Sequence, residues 1–296
     1  MSEKKVYCWV CGGDKFDTVR RSNLEANLSS RNFEITDYSY GITGSVFRCC
    51  NCGFLQCHEL EDVQEFYVSM EDPSYEEGRA GRALQSRMLL EKARQTLYME
   101  EGSEGKRLLD IGAGSGILVE EAMRMGFAAE GVEPSAWLCD RARDRGINLH
   151  HGTMEQVSLA GKYHLITIVD VIEHIDNPVE LLQEARKHLA DGGAIMIVTP
   201  DVRSVVARLM GWRWWHFRVA HIGYFSCVTL SLACDRAGLT LKHSWCPKWY
   251  FKSGYLCERL MRYFPIWLRI SLPGKLSNIR VPVNFFDSIA VLVVGK

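Results

Sequence analysis

The chain has 296 residues, 47% of them hydrophobic and 24% charged, a composition that suits one large globular domain plus a small one. Lys+Arg 35 against Asp+Glu 36 leaves a net charge of -1, so the basic excess of a protein living on phosphate backbones is missing and a nucleic-acid substrate is disfavoured. No apolar run approaches the length of a membrane span, and Met1 to Lys5 lead straight into polar, cysteine-rich sequence. With eleven cysteines, an odd number, and no export signal, the expectation is a reduced, cytoplasmic protein.

Residues 1–58 differ in character from the rest. Cys8-Trp9-Val10-Cys11-Gly12 is answered by Cys49-Cys50-Asn51-Cys52-Gly53. Two C-x-x-C-G knuckles separated by short strand-like segments are the pattern of a zinc ribbon, in which four thiolates close a tetrahedral structural Zn2+ site. Metal binding would supply the folding energy that so short a segment cannot draw from a core. The predicted ligands are Cys8, Cys11, Cys49 and Cys52, with Cys50 able to replace Cys49 and with Cys57 and His58 as spare candidates. No β-α-β pattern surrounds either unit, which disfavours a thioredoxin-like pair.

Residues 59–104 form a charged connector, mostly helical in pattern, and Pro73 and Gly78 interrupt it so that two helices with a break are expected. Glu100 to Lys106 are a polar boundary. From residue 105 to 296 the chain alternates strands and helices, the mark of a parallel α/β sheet. Strands are predicted at Arg107–Ile111, Ala128–Val132, Asn148–His151, Tyr163–Val169 and Ala194–Val198. Helices are predicted at Gly116–Met125, Ala136–Arg145 and Val179–Leu189, the last opened by Pro178 and closed by Asp191-Gly192-Gly193. A helix at Thr229–Ala237 and strands at Leu239–Trp245 and Ser288–Val294 complete the pattern.

The chemistry centres on Leu108-Leu109-Asp110-Ile111-Gly112-Ala113-Gly114-Ser115-Gly116, an apolar strand that ends in a carboxylate and a glycine turn before a helix. Such a turn lets backbone approach a ligand closely. Its glycine spacing departs from the G-x-G-x-x-G of NAD sites, and Glu133 at the end of the next strand stands where a carboxylate can take ribose hydroxyls.

These residues resemble the class I S-adenosylmethionine-dependent methyltransferases. The resemblance runs through Asp110 to Gly116, Gly131-Val132-Glu133-Pro134, Val169 to His174 and Leu189 to Gly193, and covers about residues 85–245 plus the terminal strand. It implies a Rossmann-like, mostly parallel sheet with an antiparallel last strand. It also implies a donor site in which Asp110, Gly112, Ala113, Gly114 and Gly116 underlie the methionine part. Glu133 would then bind the ribose, with Pro134 next to it also in the donor site, Thr153 and Met154 would sit near the adenine, and Asp170 would lie by the methionine end. Asp170-x-x-Glu173-His174 is similar to the E-x-x-E-H segment of the ubiquinone-biosynthesis O-methyltransferases, where the three side chains can hold a divalent cation; Asp replaces the first Glu here and shortens the reach.

His174 is the first candidate base. His216 and His221 lie in 200–226, where Trp212-Arg213-Trp214-Trp215-His216-Phe217 precedes His221-Ile222-Gly223-Tyr224-Phe225-Ser226, and this segment should cover the carboxyl ends of the strands. It is similar to a subgroup of bacterial methyltransferases with an N-terminal zinc ribbon. A second insertion, 247–284, mixes Tyr255, Leu256, Leu260, Met261, Phe264, Trp267, Leu268 and Ile270 with Arg259, Arg262, Arg269 and Lys275, and Pro265 kinks it. Residues 254–272 suit a peripheral membrane contact, a long apolar acceptor, core packing or a homodimer face. The resulting expectation is methyl transfer from S-adenosylmethionine to a small molecule, with oxygen as the favoured nucleophile. The alternatives are an RNA or protein methyltransferase that grips its substrate with the ribbon, and a binding protein that has lost catalysis.

Overall fold

The computed structural model describes residues 5–24, 28–37, 39–60, 63–97, 104–261, 265, 270 and 273–296. The expected boundary at 100–106 lies partly outside these residues, as do Arg262, Phe264, Trp267, Leu268 and Arg269 of the second insertion.

The first segment contributes β1 (Phe16–Arg20), β2 (Val46–Cys49) and β3 (Leu55–Gln56), paired antiparallel in that order. Cys8, Cys49 and Phe54 are buried in one cluster with residues of the large sheet, so the segment packs on the main body. The connector holds three helices where two were expected: α1 (Val63–Val68), α2 (Pro73–Glu77) and α3 (Arg79–Thr96). Pro73 does not break a helix but opens α2, where its missing N–H costs nothing. Asp72 caps that helix, accepting from the Tyr75 backbone N–H at 3.0 Å, and also accepts from the Thr36 N–H at 2.9 Å and the Thr36 hydroxyl at 2.8 Å. A buried carboxylate thus ties the connector to the first segment.

The α/β portion follows the predicted order: β4 (Arg107–Ile111), α4 (Ile117–Arg124), β5 (Ala128–Glu133), α5 (Ala136–Arg143), β6 (Leu149–His151), β7 (Tyr163–Val169), α6 (Pro178–Lys187) and β8 (Leu189–Pro200). After α7 (Val205–Met210) and β9 (Gly223–Tyr224) come α8 (Cys227–Arg236) and β10 (Leu239–Trp245). Next are β11 (Trp249–Lys252), α9 (Ser253–Met261), α10 (Gly274–Ser277), β12 (Arg280–Val283) and β13 (Ser288–Gly295). The seven-stranded sheet runs β10-β13-β8-β7-β4-β5-β6, and β13 alone is antiparallel to its neighbours β8 and β10.

Both faces of the sheet are covered, and strand alternation divides the core accordingly. Leu109, Ile166, Ile168, Ile195 and Ile197 pack on α6 and α8, while Leu108, Leu165, Met196 and Val198 pack on α3 and α4. One expectation fails in β8. Asp191-Gly192-Gly193 does not close α6, which ends at Lys187 with His188 as its cap. The strand has already begun at Leu189, paired with Tyr163, and the next pair is Leu165 with Ala194, so the glycines form a bulge between two registers. Among the described residues the second insertion is a β11–β12 ribbon carrying α9 and α10, and the chain on either side of Pro265, where a kink is expected, lies outside them.

Replacing Asp72 with Ala removes the cap and both Thr36 bonds from a fully buried position, at an expected cost of about 2–4 kcal/mol. Urea denaturation checks this; an unchanged midpoint would show that the connector and the first segment are not held together here.

Candidate functional site

Strand β4 lies between β5 and β7, where the connections leave toward opposite edges, and the crevice at the carboxyl ends of such strands is where open α/β sheets bind ligands. Here β4 delivers Asp110 and the glycine turn, β5 delivers Glu133, and β7 delivers Asp170. Gly112 and Gly114 have φ of +71° and +57°. A Cβ on Gly112 would stand 2.4 Å from Val171 Cγ2, and one on Gly114 2.6 Å from the Tyr75 hydroxyl oxygen. The turn therefore tolerates no side chain at either position.

Glu133 is buried and pinned by two backbone donors, the Gly114 N–H and the Ser135 N–H, each at 2.8 Å. Asp110, also buried, accepts from the Thr167 hydroxyl at 2.6 Å. Burial pushes both carboxyls up to about 7 against the pull of these donors. Asp170 holds a left-handed φ of +53°, a strain of about 1 kcal/mol that turns its side chain into the cavity. Ala113, Pro134, Thr153 and Met154 line the same cavity. A set of glycines that leaves the backbone bare, beside two fixed carboxylates, fits a nucleoside-bearing ligand such as S-adenosylmethionine.

The cavity measures about 800 Å3 and continues past the donor crevice to His174, His216 and His221, which the fold brings together from two segments. The rings of His174 and His221 lie edge to face at 4.8 Å, and those of His216 and His221 stack at 5.6 Å. Nδ1 of His174 is 2.6 Å from both the Tyr67 hydroxyl oxygen and the Ala220 carbonyl oxygen. A carbonyl only accepts, so Nδ1 carries the proton and Nε2 is left bare. Burial, reinforced by the nearby Arg218 charge, lowers His174 and His216 to about 3 and holds His221 well below the ordinary imidazole range. All three are neutral across the physiological range.

Glu173 does not join Asp170 in the way the sequence motif suggests. Its Oε2 accepts from the Thr199 hydroxyl at 2.9 Å, and burial and the Asp170 charge raise its carboxyl well above the usual range. The cation-competent group of this region, among the described residues, is instead Glu173, His174 and His221, whose ligand atoms lie within 4.8 Å of one another. No local pattern points to Tyr67, Arg218 or Asp287, which line the cavity beside the three histidines. Their place there follows from tertiary packing of α1, the segment before β9 and the turn before β13. Trp214 is fully buried and donates its indole N–H to Asp287 at 3.1 Å, whereas Trp215 lines the cavity against Phe285 at 5.1 Å. In the second insertion Tyr255, Leu256 and Leu260 face the same cavity.

Behind this wall stands the cysteine-rich segment. The sulfurs of Cys8, Cys11, Cys49 and Cys52 lie within 4.8 Å of one another, with Cys8 to Cys52 at 3.6 Å and Cys11 to Cys49 at 3.4 Å. Bonds of about 2.3 Å to a tetrahedral zinc place sulfurs roughly 3.8 Å apart, so the set fits the ion. Cys50 is exposed, Cys57 is buried elsewhere, and His58 stacks on Phe47 at 4.1 Å; none of them joins the four. Strand β3 pairs with β9, the Cys57 N–H donates to the Ile222 carbonyl at 2.8 Å, and the Ile222 N–H donates to the Glu173 carbonyl at 3.0 Å.

A family model described as a methyltransferase domain matches residues 82–244. The ubiquinone biosynthesis O-methyltransferase of Caulobacter sp. (strain K31) is 35% identical over 104 residues, 32% of this chain and 41% of that protein. The mitochondrial ubiquinone biosynthesis O-methyltransferase of Schizosaccharomyces pombe is 28% identical over 115 residues, 36% of this chain and 42% of that protein. The chain thus spans less than half the length of these curated relatives. One chain of the solved complex between the Haloferax volcanii Trm112 methyltransferase activator and a methyltransferase shares the fold, with a TM-score of 0.52 at 14% identity over 80% of this chain and 99% of that chain. With the glycine turn, the buried carboxylates and this match in place, the chain belongs to the methyltransferase domain family of S-adenosylmethionine-dependent enzymes.

Proposed function

We propose that the chain transfers a methyl group from S-adenosylmethionine to an oxygen of a small molecule. The observation that carries this reading is the single cavity in which the donor crevice and three neutral histidines meet. Similarity to the ubiquinone biosynthesis O-methyltransferases supports oxygen as the nucleophile.

When bound, S-adenosylmethionine supplies an electrophilic methyl on a positively charged sulfur. Asp110 and the turn from Gly112 to Gly116 would hold its methionine part, Glu133 with Pro134 its ribose, and Thr153 with Met154 its adenine, while Asp170 would stand by the methionine end. His174 presents Nε2 to the acceptor and takes the hydroxyl proton; His221 packs edge to face on that ring, and His216 stacks on His221 behind it. Trp215, Tyr255 and Leu256 narrow the cavity and exclude water. A small-molecule acceptor matches a concave site of about 800 Å3 lined largely by apolar and aromatic side chains. Cys8, Cys11, Cys49 and Cys52 would hold a structural Zn2+. The face of the cysteine-rich segment next to the site is occupied by β9 and the segment before it, which disfavours a role in gripping a macromolecule. Among the described residues no helix is long and apolar enough to cross a membrane.

Three outcomes are expected. His174→Ala lowers transfer from labelled S-adenosylmethionine to a panel of phenols and alcohols by about 100-fold, with donor affinity unchanged. Label entering RNA or protein, and none of the panel, would overturn the small-molecule reading. Affinity for S-adenosylhomocysteine should rise between pH 6 and 8, by up to about tenfold per carboxylate, because Asp110 and Glu133 are neutral below about 7 and, once ionised, accept better from the ammonium of the methionine part and the ribose hydroxyls respectively. Calorimetry at several pH values checks this, and Glu133→Gln should abolish its share of the rise. Metal analysis should find one zinc per chain, absent from Cys49→Ser. Chelation should stop methyl transfer while sparing S-adenosylhomocysteine binding, since the thiolate site backs only the acceptor wall.

A further inference from the structure

Arg218 stands out among the groups that the reaction above does not use. It sits in the segment before β9, is 9% exposed, and lines the cavity beside Tyr67, His174, His216 and His221. A guanidinium has five N–H donors in a fixed fork. Here one terminal nitrogen donates to the Ile35 carbonyl at 3.0 Å and the other to the Glu34 carbonyl, while the buried Nε–H has no partner. Two backbone carbonyls fix its orientation without neutralising its charge. Among the described residues no carboxylate oxygen lies within 4.0 Å of it.

The surrounding groups leave that charge standing. His174, His216 and His221 line the same end of the cavity and bring no negative charge to it. Glu173 accepts the Thr199 hydroxyl on Oε2 at 2.9 Å, and its Oε1 is a second buried atom without a partner among the described residues. Asp287 is engaged by the Trp214 indole at 3.1 Å and lies 3.7 Å from His216 Nε2. Asp170 is shared between the fields of Arg82 and Arg218. A buried cation with no ion pair is costly, and the cost is relieved when an anion enters.

We propose that Arg218 is the anion site of the acceptor pocket, holding an anionic oxygen of the methyl acceptor at the end of the cavity where the histidines converge. The oxygen belongs either to the ionised nucleophile or to a carboxylate or phosphate next to it. This rests on the small-molecule reading and narrows it to acceptors that carry, or acquire, negative charge. Arg218 then does more than position the wall: its charge favours the ionised over the neutral acceptor, which complements the weak basicity of the buried histidines.

The test is calorimetric titration of the protein loaded with S-adenosylhomocysteine, using benzoate, 4-nitrophenol and the neutral benzamide as probes. In the wild type at least one anion should bind about tenfold or more tightly than benzamide. Absorbance of bound 4-nitrophenol reads its ionised form, so preference for that probe assigns the charge to the nucleophile and preference for benzoate assigns it to a neighbouring carboxylate. Arg218→Gln keeps N–H donors for the backbone carbonyls and drops the charge; it should abolish the anion preference while S-adenosylhomocysteine affinity stays within about twofold. The proposal is overturned if benzamide binds the wild type as well as both anions do, a comparison that needs no variant, or if the preference survives in Arg218→Gln. An Arg218-dependent anion preference together with methyl transfer to nitrogen or carbon acceptors alone would keep this site and discard the oxygen reading.

Discussion

The acceptor side of this protein hangs on a short ladder of backbone hydrogen bonds. Strand β3 of the cysteine-rich segment pairs with β9, Cys57 donates to Ile222, and Ile222 donates in turn to the carbonyl of Glu173. His174 follows Glu173 directly, and His221 precedes Ile222. Two loops that each carry a candidate base, from either side of the sheet's carboxyl edge, are thus fixed to one another through a strand from the first sixty residues. Loops at that edge would otherwise be mobile, and a catalytic base must be held within a fraction of an ångström to be effective. With Zn2+ bound, Cys8, Cys11, Cys49 and Cys52, packed against the main apolar cluster, would give the ladder a rigid anchor that a two-residue strand cannot supply alone.

Charge in the cavity is arranged by burial more than by pairing. The donor crevice contains carboxyls lifted toward neutrality, the acceptor end contains imidazoles pushed away from protonation, and beside those imidazoles stands the Arg218 guanidinium, without an ion pair among the described residues. Such a pocket is poorly matched to bulk water and well matched to a ligand pair that brings its own charges: a cationic sulfonium beside the acids and an anionic oxygen beside the arginine. The strained Asp170 lies at the junction of the two halves, where strain is most often retained for a functional reason.

How much of this was legible in the sequence differs from one half of the site to the other. The donor crevice is made by consecutive or nearly consecutive residues at strand ends, so Asp110, the glycines and Glu133 could be named from local pattern, and the strand boundaries at Arg107–Ile111, Tyr163–Val169 and Leu239–Trp245 agree with the structure. The four cysteines could be named for the same reason, since each knuckle is a local turn. Where local signals failed, a longer-range pairing had overridden them. Asp191-Gly192-Gly193 has the chemistry of a helix stop, yet Leu189 is drawn into the sheet beside Tyr163 and the glycines become a bulge. Pro73 looks like a break, yet Asp72 before it makes it the first residue of a new helix.

By itself the sequence determined the sheet, the donor and the thiolate site, because each is written in short motifs whose geometry is fixed by a few bonds along the chain. On the other side of the cavity the sequence pointed to His174, His216 and His221, but only tertiary structure joined them to Tyr67, Arg218 and Asp287 in one pocket. Tyr67, His174, Arg218, His221 and Asp287 are separated by up to most of the chain, have no shared pattern, and acquire their protonation states and their orphaned donors only once they are packed against one another and removed from water.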